Sequence, residues 1–138
     1  MATVNDELKE AYRATDYNVH EPWSLTLKIG EPSPDLKRLY HAKGVCSAAF
    51  LTAYNPHSQC VGPDENEAAQ QALQHCLQES GLEFCQGSGD AVSGEWREPS
   101  FLVLGITREE ALRLGREFGQ NAVVWVERDG IPELVRPL

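Results

Sequence analysis

The chain has 138 residues, with 21 acidic against 12 basic side chains, a formal net charge of −9, 41% hydrophobic and 24% charged residues. That size fits one compact domain, and the composition excludes a disordered or fibrous chain. Lys and Arg are scattered rather than clustered, which speaks against broad nucleic-acid binding, and no segment reaches the roughly 18 apolar residues of a membrane helix.

The first fifteen or so residues predict a short helix opened by Asn5 or Asp6, with Leu8, Ala11 and Tyr12 on one side. They hold neither the basic region nor the apolar core of a secretory signal, so a cytoplasmic location is expected. Trp23 to Ile29 alternates apolar and polar side chains, the pattern of a half-buried strand. Ser33 and Pro34 predict the start of a second helix and Gly44 its end. Cys46 to Tyr54 is a mostly apolar run and reads as a buried, central strand.

Asn55 and Pro56 stop that run, and a polar loop leads to Asp64, the expected cap of the clearest helix. Its predicted buried stripe is Ala68, Ala69, Ala72, Leu73, Cys76 and Leu77, and Gly81 supplies the terminal glycine. Leu82 to Cys85 reads as a short strand, whereas Gln86 to Glu95 holds three Gly and two Ser and reads as a mobile loop. Phe101 to Leu104 is a further apolar strand. Thr107 and Glu110 form a predicted capping box, opening a helix with Ala111, Leu114, Gly115 and Phe118 on its inner face and Gly119 at its end. Asn121 to Glu127 and Ile131 to Val135 flank an Asp129-Gly130 turn as a hairpin.

The order α-β-α-β-α-(β)-β-α-β-β predicts an α+β fold, a mixed α/β sandwich with a central mixed sheet of about five strands. One domain spans residues 1–138, with 1–45 as an N-terminal extension packed on a core of 46–138.

The four cysteines, Cys46, Cys60, Cys76 and Cys85, are expected to be reduced, and no pair has C-x-x-C spacing. His57 and Cys60, with His75 and Cys76, come nearest to a ligand set, but Cys76 sits on an apolar stripe, so neither a metal nor another cofactor is expected. No nucleophile elbow, phosphate loop or zinc-protease motif is present.

Polar residues gather instead at three strand ends. Counting strand directions along the chain brings Thr52–Pro56, Trp96–Ser100 and Gly119–Asn121 to one rim, beside the start of the helix near Glu65 and Asn66. In that count the Phe101 and Asn121 strands run parallel, joined by a crossover helix. Asn55, Ser58, Asn66, Ser100, Gln120 and Asn121 form a neutral donor and acceptor set there, Glu98 is the carboxylate, and Tyr54 and Trp96 are flat walls. Each also has a plainer role, as turn former, cap or core aromatic.

Thr52-Ala53-Tyr54-Asn55-Pro56, Glu65-Asn66-Glu67, Trp96-Arg97-Glu98-Pro99-Ser100-Phe101 and Phe118-Gly119-Gln120-Asn121-Ala122, in this order, resemble a small bacterial family known as domain of unknown function 3293. The resemblance runs from about Ser47 to Val135 and implies a small cytosolic domain without an assigned activity.

Two functions follow as expectations. One is a non-catalytic binding or interaction module that holds a small polar ligand, a peptide segment or a protein partner at the rim. The other is a small hydrolase- or transferase-like enzyme in which Glu98 is general acid or base, its pKa raised by burial beside Trp96, with Gln120 and Asn121 orienting substrate.

Overall fold

The computed structural model describes residues 6–56 and 59–136. Its elements are α1 (Asp6–Arg13), β1 (Thr15–Val19), β2 (Leu25–Leu27), α2 (Pro34–Lys43), β3 (Ala48–Leu51), α3 (Pro63–Ser80), β4 (Phe84–Ala91), β5 (Arg97–Leu104), α4 (Arg108–Glu117), β6 (Val123–Val126) and β7 (Pro132–Val135). Among the described residues, seven strands form one curled sheet in the order β2-β1-β4-β5-β3-β6-β7, and every pairing is antiparallel. The α+β class holds, but the sheet exceeds the five strands expected and is not mixed. β5 and β6 do point the same way, as the crossover through α4 demands. They are not neighbours, because β3 lies between them and pairs antiparallel with both.

β3 occupies that central place because its four side chains serve two cores. Ala48 and Phe50 face one, Ala49 and Leu51 the other, and all four are buried. On the first face Leu36 and Tyr40 of α2 pack on the sheet with Tyr12 of α1, and the Tyr40 hydroxyl donates to the Val126 carbonyl at 2.9 Å. On the second, Leu73 and Leu77 of α3 and Ala111 and Leu114 of α4 cover Phe101, Val103 and Trp125. No helix among the described residues is long and apolar enough to cross a membrane.

Several expectations need correction. The short N-terminal helix ends at Arg13, and a strand that the pattern did not predict, β1, follows it. Thr15, Tyr17 and Val19 point inward while Asp16 and Asn18 point outward. β2 is confined to Leu25–Leu27 within the predicted Trp23 to Ile29. The stretch read as a mobile loop is most of β4, paired on both sides, with Gly87, Ser88 and Gly89 buried. Its glycines mark tight packing rather than freedom: a Cβ on Gly87 would lie 2.4 Å from the Asn18 carbonyl oxygen and 3.2 Å from the Phe50 ring. The real turn is nearer Gly94, whose φ is 82° and whose N–H donates to the Ala91 carbonyl.

Helix α3 starts at Pro63 with Gly62 as its cap, so Asp64 sits inside the first turn. Its buried stripe is Asn66, Gln70, Leu73 and Leu77, whereas Ala68 and Ala72 are exposed. An alanine methyl gains little by burial, and the two amides turn inward because backbone groups at the end of β3 need partners. At α4 the Thr107 hydroxyl accepts from the Glu110 N–H at 3.1 Å, as predicted. The Glu110 carboxylate does not reach back; it takes two hydrogen bonds from the Arg113 guanidinium.

Candidate functional site

Beyond β3 the chain leaves the sheet, and side-chain amides take over its hydrogen bonding. Thr52 Oγ1 donates to the Pro99 carbonyl at 2.8 Å. Gln70 accepts from the Ala53 N–H at 2.9 Å and donates through Nε2 to Pro99 O at 3.1 Å, stitching the end of β3 to β5. Asn55 follows with φ 46°, a left-handed conformation that asparagine tolerates better than most residues. Its N–H donates to Asn66 Oδ1 at 2.8 Å, while its Oδ1 accepts from Asn66 Nδ2 at 3.0 Å and from the Val61 N–H at 3.4 Å. Its Nδ2 donates to Glu98 Oε2 at 3.1 Å. Gln120 closes the third side, with Nε2 donating to the carbonyls of Tyr54 at 3.1 Å and Phe118 at 3.3 Å.

These three segments border a cavity of about 340 Å³. Its walls are mainly apolar and include the rings of Tyr12 from α1, Tyr17 from β1, Phe50 from β3 and Trp96 just before β5. The Tyr17 and Phe50 rings meet edge to face with centroids 5.3 Å apart, and the Tyr17 hydroxyl donates to the Tyr12 carbonyl at 3.1 Å. Tyr17, Gly89 and Glu98 stand in one row across β1, β4 and β5. Gly89 has no side chain, and that opens the floor between the phenol and the carboxylate.

Residues 51–123, just over half of the chain, match the family described as "Protein of unknown function (DUF3293)". The chain belongs to this family. The matched DUF3293 segment carries Asn55, Asn66, Gln70, Glu98 and Gln120, the whole amide and carboxylate framework, whereas Tyr12 and Tyr17 precede it. No curated protein and no solved structure matches the chain.

Of the residues singled out from the sequence of this DUF3293 protein, Tyr54, Asn55, Trp96, Glu98, Ser100 and Gln120 line the cavity. Asn66 stands one step behind, acting through Asn55. Asn121 is not part of the lining, and Ser58 and His57, like the side chain of Leu8, lie outside the described residues. Among the described residues no group of three His, Cys, Asp or Glu is placed to hold a metal ion. Trp125 is a core residue, but Trp96 is 41% exposed at the cavity edge. Sequence reasoning missed Tyr12, Tyr17, Phe50 and Gly89 as lining. The Thr15-Tyr17-Val19 alternation was the available signal.

Burial raises the Glu98 carboxyl above its ordinary value, and the Asn55 hydrogen bond opposes part of that rise. Tyr12 is pushed up to about 12, first by burial and then by the Glu98 charge, so its phenol stays neutral. Among the described residues no ion pair reaches Glu98, and no Lys, Arg or His lines the cavity.

A raised folded-state value means that ionising Glu98 costs stability. The cost is absent below the ordinary glutamate range, grows as pH rises through the raised value, and is complete above it. Glu98→Gln keeps an oxygen for Asn55 and is expected to melt higher than the parent at pH 7, with the gap closing below about pH 4. Melting curves across that range check this. A gap independent of pH would show that the carboxylate is not desolvated.

Proposed function

We propose that this DUF3293 protein is a non-catalytic binding module, its ligand a small molecule seated in the cavity between α1 and the rim formed by β3 and β5. The observation that carries the reading is the cavity itself: about 340 Å³, toward the lower end of the roughly 300–1,000 Å³ usual for ligand sites, with aromatic walls and one convergent carboxylate. The amides that suggested a polar ring in the sequence are engaged in holding the rim, since Asn66, Gln70 and Gln120 bond to neighbouring backbone or to Asn55. That work supports a preorganised pocket, and it leaves apolar contact and Glu98 to grip the ligand.

The catalytic alternative rests on the raised pKa of Glu98. Binding is preferred because the cavity's other titratable side chains, Tyr12, Tyr17, Tyr54 and Cys60, make no hydrogen bond to Glu98. Among the described residues no nucleophile and base are paired there.

Gly89→Ala tests the reading. A Cβ at this position meets Thr15, Trp96 and Tyr17 at 3.6, 3.8 and 3.9 Å, ordinary contacts, so the variant folds while part of the cavity floor is filled. A library of small aromatic compounds, screened by ¹H–¹⁵N NMR, is expected to shift the Trp96 indole and Gln120 amide signals in the parent and to bind several-fold more weakly to the variant. Compounds that bind both proteins equally, or none at all, would overturn the assignment.

A further inference from the structure

Building on that binding reading, we propose that the ligand's buried end is an organic cation with N–H donors, an ammonium or guanidinium group on an apolar stem. Glu98 is half-buried among Tyr12, Tyr17 and Trp96, with the Asn55 amide as its hydrogen-bond partner and, among the described residues, no cation beside it. A carboxylate withdrawn from water and left unpaired is costly, and a bound ammonium removes that cost while making charge-assisted hydrogen bonds. The faces of the aromatic walls carry negative partial charge and favour a cation over a neutral group of equal size. A net charge of −9 draws cations toward the protein and repels anions. Among the described residues the lining holds no positively charged donor that would offset Glu98 for an anion, and its amides are engaged: Gln120 Nε2 with two carbonyls and Asn55 Nδ2 with Glu98 itself.

The experiment compares three probes that share one ring and differ in charge: benzylamine, benzyl alcohol and benzoate, titrated at pH 7 against the full chain by NMR. Benzylamine is expected to bind about tenfold more tightly than benzyl alcohol, and benzoate not to bind. In Glu98→Gln the preference for the amine disappears. Should that variant fail to fold, the parent serves: benzylamine stays protonated on acidification, and its affinity falls as Glu98 takes up a proton, whereas that of benzyl alcohol does not.

An alcohol that binds as tightly as the amine, bound benzoate, or amine binding indifferent to pH would end the cation proposal and leave the pocket standing. No shift at Trp96 or Gln120 with any probe would end both. The same head group occurs on free amines and on lysine side chains, so Nα-acetyl-lysine N-methylamide is titrated in parallel. Tighter binding than benzylamine assigns the cation to a peptide side chain, and weaker binding assigns it to a free amine.

Discussion

Replacing Gly87 by Ala is expected to cost about 3 kcal/mol and to lower Tm by roughly 10 °C, a large loss for one methyl group. The added Cβ would stand 2.4 Å from the Asn18 carbonyl oxygen. The Phe50 ring, at 3.2 Å, could turn aside, but the carbonyl is backbone and moves only with β1. Val19 pairs with Gly87, and β2 joins the sheet through β1, so displacing that strand loosens both. Tyr17 moves with it, and one wall of the cavity goes too. Gly89→Ala, two residues along the same strand, is the control, since its Cβ meets nothing closer than 3.6 Å. Thermal unfolding of the two variants side by side decides the matter. Equal melting temperatures would mean that Gly87 is there for a reason other than close approach.

That contrast also explains what could be read from the sequence. Where structure is decided within a few residues, the signals were sufficient: Ser33 accepts from the Leu36 N–H, Pro34 opens α2, and Gly44 closes it with φ 68°. The apolar run around Phe50 became a central strand because a segment without a polar face has to be covered on both sides. β4 was illegible for the converse reason. Gly87-Ser88-Gly89 has turn composition, and only the proximity of Asn18 and Phe50, remote in sequence, makes glycine a packing requirement there. The buried Asn66 and Gln70 escaped a pattern that looks for apolar stripes, because their partners are backbone groups at the end of another element. At the site, Asn55, Glu98 and Gln120 could be brought together by counting strand directions. The walls supplied by Tyr12 and Tyr17 could not, since they depend on β1 pairing with β4, a long-range contact that local patterning does not encode.

Asn55→Ala is expected to destabilise by about 3 kcal/mol and to disorganise the cavity. Two costs combine. Alanine at φ 46° loses the local tolerance that asparagine has for left-handed backbone, roughly 1 kcal/mol. The larger part is the loss of the side chain: Asn66, only 6% exposed, keeps the bond from the residue 55 N–H but loses the acceptor for its Nδ2, and a buried polar group left without a partner costs about 1–3 kcal/mol. Asn55→Gly separates the two, because glycine accepts positive φ yet offers no amide. It is expected to recover about 1 kcal/mol relative to alanine and no more. Glu98 responds in both variants. The Asn55 hydrogen bond, its one such bond among the described residues, lowers its pKa, and removing that bond drives the carboxyl further up. The pH at which Glu98 titrates, followed by NMR of its side-chain carboxyl carbon, should therefore rise together in the alanine and glycine variants despite their different stabilities. A titration unchanged from the parent would mean that Asn55 holds the loop and not the carboxylate.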